Sequence, residues 1–406
     1  MEELTADVAL VGLGAAGGSL LRALVRDGRA RAGRRPLRVV AVEAPSASAR
    51  RSASRSWCTW GPPGWRYEGD VAARWSRVRV VDGRGGVVEE ALDPLEYRLV
   101  RSGDFEAAVA ACAAGAEGVE LRRAEVLEVA DGVAGASVRA RADDGGELLV
   151  RARWALDSRP PALPVPGRGR TVLLQHFRGW RVRTAEPVFD AGAATLMDFR
   201  VPQPARGTAF GYVLPTSARE ALVEYTEFSR QPLTRARYEE ALRAYLRGAL
   251  GVGEFEVLEA ESGVIPMTDV PFEPRAGRSV FRIGAAGGAV RPSTGYAFSA
   301  VQRQVDAVVA ALAVGEVPVP PVPHRRRHLL MDAVVLRALD SGTVRGSELF
   351  PELFRRNGAA RVLRFLDGRS TVRDEVRVMA SAPRARMLRT VGGLALSAPA
   401  RRRPAR

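Results

Sequence analysis

Three glycines near the amino terminus, Gly12, Gly14 and Gly17, carry the spacing Gly-x-Gly-x-x-Gly, and the chemistry that spacing serves is the cradling of a pyrophosphate. Gly12 permits a tight turn, Gly14 lets the backbone approach the phosphates, and Gly17 lets helix and strand pack closely. Ala15 and Ala16 lie between the glycines, and the N-terminus of the following helix offers its unpaired N–H groups to the anion. Glu43 ends the next apolar strand, a place from which a carboxylate accepts a ribose hydroxyl. It falls later than the usual spacing of about 20 residues because Arg26 to Pro36 forms a long basic loop. A second glycine turn, Gly284-Ala285-Ala286-Gly287-Gly288, is followed by Arg291-Pro292-Ser293-Thr294-Gly295-Tyr296 and then a helix. Two such turns bracketing an inserted sheet point to one large cofactor held at both ends. Metal chemistry has no support: Cys58 and Cys112 make no ligand pattern, nor do His176, His324 and His328. The stretch His324 to His328 reads as a basic, solvated helix start.

The elements that must position these residues follow from periodicity. Val8 to Val11 is a buried parallel strand, Ser19 to Val25 a helix, and Leu37 to Val42 a second strand. Arg77 to Val81 and Val87-Val88 flank a turn and read as a hairpin, and Ser102-Gly103-Asp104 caps the helical run Phe105 to Ala114. Strands continuing to Ala155 complete a nucleotide-binding sheet. Beyond a Pro/Gly/Arg linker, strand-like segments from Val172 to Glu227 succeed one another until the helix Tyr238 to Leu250, in which Tyr238, Leu242, Tyr245, Leu246 and Ala249 share a face. This is an antiparallel sheet with a covering helix. Ser279 to Ile283 and the helix Ala297 to Leu312 return to the nucleotide fold, and helices follow, one capped by Thr371 and Asp374. The expected fold class is α/β, divided as a first nucleotide-binding part at 1–165, a substrate-binding sheet domain at 166–275, a second nucleotide-binding part at 276–316, a C-terminal helical region at 317–395 and a basic disordered tail at 396–406.

The chain has 406 residues and a formal charge of +15, all of its positive side chains being arginine. That charge permits nucleic acid, anionic lipid or acidic substrates, and equally fits a bias in which Ala, Gly and Arg replace other residues. The arginines are spread out and no nucleic-acid recognition motif stands out, so no nucleic acid is expected. Two cysteines with no disulfide framework fit a reducing cytoplasm. No run reaches the roughly 18 apolar residues of a membrane span, and the amino terminus enters a strand directly, leaving no room for a secretory signal. Membrane contact is therefore expected to be peripheral.

Several further stretches carry a resemblance: the aromatic cluster at Trp57, Gln175-His176-Phe177-Arg178-Gly179-Trp180, Leu196-Met197-Asp198-Phe199-Arg200, Leu222-Val223-Glu224-Tyr225-Thr226-Glu227-Phe228-Ser229, Ile265-Pro266-Met267-Thr268, Gly284 through Phe298, and Phe365-Leu366-Asp367-Gly368-Arg369-Ser370. Together with the Gly12 turn they resemble the flavin-dependent lycopene cyclases of the bacterial β-cyclase type, over nearly the whole chain. The resemblance implies an FAD-binding Rossmann-like fold of the two-dinucleotide flavoprotein type, related to aromatic hydroxylases and geranylgeranyl reductases. It implies that lycopene and other linear carotenes are cyclised to γ- or β-carotene with no net redox change, on FAD kept reduced by NAD(P)H. The cofactor set is Gly12, Gly14, Ala15, Ala16, Gly17, Glu43, Gly284, Gly287, Pro292, Thr294, Gly295 and Tyr296. Flavoproteins of this wider fold usually place Asp directly after the glycine of the second motif; here the position is Ala285, which leaves that end to backbone N–H groups.

Cyclisation starts when an acid protonates a terminal double bond, continues as an internal double bond attacks the carbocation, and ends with loss of a neighbouring proton. It needs a carboxyl still protonated near neutral pH, which apolar burial supplies. Glu224 fits, lying between Val223 and Tyr225 on an apolar strand and occupying the place of the family's catalytic glutamate. Glu227, three residues on, points to the opposite strand face and is a lesser candidate. Asp198 offers either a second carboxylate to the same pocket or an ion pair with Arg200. Trp57, Trp60, Phe199 and Tyr225 offer π-faces to a cation, or plain core packing. Two rival readings remain at this level: an FAD-dependent monooxygenase or prenyl reductase, and a non-catalytic arginine-rich lipid- or nucleic-acid-binding protein on a nucleotide fold. The oligomeric state has no signature in the sequence.

Overall fold

The computed structural model describes residues 1–26, 36–45, 55–165 and 167–397. The tail arginines Arg401, Arg402, Arg403 and Arg406 lie outside the described residues, as do residues 27–35 of the basic loop. The fold is mixed α/β. Strand β1 (Glu2–Val11) enters helix α1 (Ala15–Arg26) through the first glycine turn, and β2 (Val39–Glu43) returns parallel to β1. Val8, Leu10, Leu20, Leu21 and Leu24 are buried between them, so strand alternation and helical spacing meet in one core.

Strands β3 (Ser56–Gly61), β4 (Val71–Trp75) and β7 (Glu96–Arg101) form a three-stranded antiparallel sheet, and between them β5 (Arg77–Val81) and β6 (Val87–Ala91) form the expected hairpin. Helix α2 (Ser102–Ala114) begins at Ser102 rather than after it; the Ser102 hydroxyl accepts the Arg55 N–H at 2.9 Å and so caps nothing in its own helix. Long strands β8 (Val119–Asp131), β9 (Ala136–Ala142) and β10 (Glu147–Asp157) complete a six-stranded sheet with β1, β2 and the later β16 (Val280–Arg282).

The second sheet has seven strands. Its members β11 (Val172–Thr184), β12 (Ala193–Asp198), β13 (Thr208–Pro215), β14 (Glu220–Ser229) and β15 (Phe255–Thr268) lie in the order β15-β11-β14-β13-β12, continued by β5 and β6. The hairpin 77–91 thus joins the sheet expected for 166–275 rather than the nucleotide-binding part, because β5 pairs in parallel with β12. One face of this sheet is covered by α3 (Arg235–Ala244) and the π-helical turn Tyr245–Ala249, packing Trp180, Val182, Val223, Tyr225, Leu242 and Leu246 together. The other face looks toward β3, β7 and the C-terminal helices, with Leu173, Leu222, Phe228 and Met267 in a common core with Trp60, Trp75 and Tyr97.

After β16 come α4 (Phe298–Val314), α5 (Arg326–Asp340), α6 (Gly346–Asn357), α7 (Ala359–Leu366), α8 (Val372–Ser381) and α9 (Arg384–Ser397). Thr371 caps α8 as its spacing predicts, its hydroxyl accepting the Asp374 N–H at 3.2 Å. The two histidines at the start of α5 are not solvated. His328 is buried against the Glu375 carboxylate at 2.8 Å, and His324 sits 3.2 Å from the Ala289 carbonyl, so α8 and the second glycine turn supply the polar partners that water was expected to give.

Candidate active site

The two glycine turns meet. Gly284 has φ +67°, and a Cβ there would lie 2.7 Å from the Cβ of Ala16, so the head of α1 and the turn after β16 are in direct contact at the carboxyl ends of their strands. Gly12 has φ +81°, and a Cβ on Gly17 would lie 1.9 Å from the Gly12 carbonyl, which ties both to the turn itself. A Cβ on Gly14 meets nothing within 4 Å: this backbone faces open space, as a pyrophosphate cradle requires. Glu43 stands beside it, its carboxylate accepting the Leu13 N–H and, at 3.0 Å, the Ala44 N–H.

The second turn is held from two sides. Gln304 of α4 accepts the Gly284 N–H at 2.9 Å and donates to the Gly287 carbonyl at 2.8 Å. Arg291 is buried and reaches Asp332 of α5 at 3.1 Å and the Phe365 carbonyl of α7 at 2.7 Å, while Asp332 also accepts the Ser293 hydroxyl at 2.7 Å. The C-terminal helices therefore fix the loop carrying Pro292, Thr294, Gly295 and Tyr296. Among the described residues, Thr294 Oγ1 and Arg291 Nη2 of this loop and Gln175 Oε1 of the adjoining β11 are buried without a hydrogen-bond partner. Gln175 lies so close to Gly295 that a Cβ there would meet its Oε1 at 2.0 Å. Unsatisfied buried groups beside the second turn, together with the open backbone of Gly14 in the first, fit a polar ligand held between both turns. Ala285 offers no carboxylate, which leaves backbone N–H groups there.

Glu224 lies on the inner face of the seven-stranded sheet. It is 7 % exposed, and burial together with the neighbouring Glu261 carboxyl pushes its pKa well above the usual carboxylate range, which favours its protonated form. Tyr212 sits across from it on β13. The Tyr212 hydroxyl is 2.5 Å from that of Tyr97, which is 3.0 Å from that of Tyr296 on the second glycine turn. Trp60 stacks on Tyr97 and meets Tyr296 edge-on at 4.6 Å between ring centroids. Burial raises all three phenols, leaving them neutral. A cleft of about 280 Å³ lined by Cys58, Trp60, Tyr296 and Phe298 opens next to them. A buried carboxyl whose protonated form is favoured thus borders neutral aromatic rings beside the second turn, an arrangement able to deliver a proton and to face the resulting cation with π-electrons.

The other expected site residues are elsewhere. Glu227 and Tyr225 face α3, with the Tyr225 hydroxyl 3.4 Å from the Glu227 carboxylate. Asp198 is fully buried on that same side: it binds the Arg200 guanidinium through both oxygens and accepts the Tyr245 hydroxyl at 2.8 Å. It does not reach Glu224, because the register of β12 shifts between Thr195 and Asp198 and re-aims the side chain. Phe199 stacks on Phe350, and Trp57 packs on Phe105 and Phe298, both as core. Among the described residues no cluster able to hold a metal ion is present.

The family model described as lycopene cyclase protein matches residues 7–391. This chain belongs to the lycopene cyclase family. No curated protein sequence matches it. Solved structures share its fold at low identity. A geranylgeranyl bacteriochlorophyll reductase-like protein from Thermoplasma acidophilum is 14 % identical with a TM-score of 0.61, covering 97 % of this chain and all of the other. A flavoprotein/dehydrogenase from Cytophaga hutchinsonii is 12 % identical with a TM-score of 0.60, covering 96 % and 99 %. A flavin-dependent monooxygenase in complex with FAD and substrate is 14 % identical with a TM-score of 0.59, covering 98 % and 73 %.

In this lycopene cyclase family member the residues that sequence reasoning missed are Glu261, Tyr97, Tyr212 and Cys58. Glu261 sits in Glu259-Ala260-Glu261-Ser262, which reads locally as a solvated acidic strand; only the pairing of β15 with β11 brings it inward. The placement of Asp198 makes a distinct expectation. Asp198→Asn should lower stability by about 1–3 kcal/mol, since it leaves Arg200 and Tyr245 without their charge partner while Arg200 is partly solvated. Turnover per folded protein should change less than about twofold, well below the effect expected of a general acid. Thermal unfolding and product assays on the same preparation test it, and a variant of unchanged stability without turnover would return Asp198 to the active site.

Proposed function

We propose that the protein is a lycopene β-cyclase: it cyclises the linear ends of lycopene to β-rings, giving γ- or β-carotene, by proton addition and proton loss with no net redox change. The observation that carries this reading is Glu224 buried on the sheet opposite Tyr212, whose hydroxyl chain through Tyr97 reaches Tyr296 on the second glycine turn. FAD, bound noncovalently, is the cofactor the two turns suit: Gly12, Gly14, Gly17 and Glu43 for its adenosine diphosphate half, and Gly284 to Tyr296, with Thr294 and Gln175, for its flavin half. When bound and reduced at the expense of NAD(P)H, it supplies an electron-rich face that stabilises the cation. Glu224 holds and delivers the proton, Trp60 and the tyrosines keep the reacting end dry and apolar, and the C-terminal helices hold the turn through Arg291. Expression of the chain in a lycopene-making cell tests the reading: cyclic carotenes should replace lycopene. An oxygenated or saturated product, or NAD(P)H consumed one for one with product, would favour the monooxygenase or prenyl reductase alternative.

A water-insoluble substrate also calls for contact with a lipid surface. No helix among the described residues is long and apolar enough to cross a membrane. On α8, however, Val372, Val376 and Met379 form one exposed apolar stripe, with Leu388 and Val391 exposed on α9 and Arg373, Arg377 and Arg384 beside them. Vesicles containing anionic lipid should therefore carry the protein upward in a flotation assay, less so at high salt. Val376→Asp should weaken binding, and removal of 398–406 should cost roughly 1 kcal/mol per arginine near the surface. No flotation at low salt would defeat this part of the proposal.

A further inference from the structure

We propose that Glu261 is the proton partner of Glu224: the two carboxyls, brought from strands on either side of β11 and meeting over the bare backbone of Gly179, share one proton. The register is direct. Gly179 of β11 pairs with Glu224 of β14 on one side and with Glu261 of β15 on the other. A Cβ at Gly179 would stand 2.9 Å from Glu224 Cγ and 3.3 Å from its Oε1, so glycine is what leaves room for the two acids to meet. Glu261 Oε2 accepts the Ser56 hydroxyl at 2.9 Å, whereas its Oε1 is buried and, among the described residues, has no donor, leaving it free to accept from a protonated Glu224 beside it. Two buried carboxylates in contact repel strongly when both are ionised and no cation faces them, and in the resting site a single shared proton removes that repulsion.

The catalytic step rests on the cyclase reading; the shared proton does not. In that step the Glu224 O–H bond breaks as a C–H bond forms at the terminal double bond, leaving a carbocation and two facing carboxylates. The ring C–C bond then forms from the internal double bond, a neighbouring C–H bond breaks, and its proton returns to Glu224. No electrons are gained or lost. Glu261 acts through Glu224 as a positioning residue: its charge keeps the proton on Glu224 before reaction and makes Glu224 a stronger base afterwards. Charged and titratable neighbours from the surrounding elements are Arg55, Arg101, Arg181 and Glu259 on one side, and Cys58, Tyr97, Tyr212 and Tyr296 on the other. Arg101, Arg181 and Glu259 border a cleft of about 390 Å³ that Ser56 and Glu261 also line.

Infrared spectra of the flavin-loaded protein in H₂O and D₂O, followed with pH, test the pair. The wild type should show a protonated carboxyl near neutral pH that is lost in Glu224→Gln. In Glu261→Gln the Glu224 band should titrate lower by about 1–2 pH units, because a like charge has been removed. The alkaline limb of kcat should move with it, KM should change little, and Glu261→Asp should restore part of the shift. A band and a pH limb unmoved by Glu261→Gln would overturn the proposal. Should that variant fail to load flavin, absence of any protonated-carboxyl band from the wild type near neutral pH would overturn it equally. If the band moves as stated but the wild type makes no rings, the cyclase reading fails and the shared proton stands.

Discussion

Glu224→Gln should fold, retain flavin and bind substrate while its rate of ring formation falls by about 10²–10⁴-fold, the usual contribution of a general acid. Gln preserves the volume and most hydrogen bonds of Glu but has no acidic proton to give, and the neutral phenols of Tyr97, Tyr212 and Tyr296 are far too weak as acids to replace it. The same substitution has a second signature. A carboxyl whose folded-state pKa lies above its unfolded value contributes stability below the unfolded pKa and loses it as pH rises through the folded one. Wild-type stability should therefore decline with rising pH from the ordinary carboxylate range upward, and Glu224→Gln should flatten that part of the curve. Product assays at equal flavin content and unfolding curves across pH check both; near-normal ring formation by the variant would remove Glu224 from the acid role.

Gly14→Val should yield a folded protein that carries no flavin and is colourless. The structure separates this glycine from its neighbours in the motif. A side chain on Gly17 would collide with the Gly12 carbonyl and break the contact between turn and helix, so its loss would say nothing specific about a ligand. A side chain on Gly14 meets no protein atom within 4 Å and needs no left-handed backbone, so valine there projects only into the space a pyrophosphate would fill. Flavin absorbance against protein concentration, with circular dichroism as the check on folding, decides it. A yellow, fully loaded variant would sever the first turn from cofactor binding, and with it the reason for two turns in contact.

Local pattern made much of this protein legible. The glycine spacing, the alternation that puts Glu224 and Glu227 on opposite faces of β14, the covering helix with its Tyr238, Leu242 and Leu246 face, and the Thr371 cap of α8 all arise from interactions within a few residues of chain, so they can be read without the fold. Local reading failed where a residue's environment is made by distant strands. Asp198 follows the alternation of β12 only until a register shift turns it toward Tyr245; His324 and His328 look solvated until Ala289 and Glu375 are packed against them; and the hairpin 77–91 changes sheets because β12 lies ready to pair with it. Glu261 is the sharpest case. In sequence it is one acid among several on a polar strand, and its burial beside Glu224 depends on β15 and β14 flanking the same glycine of β11 in register, a relation between segments that no short-range periodicity encodes.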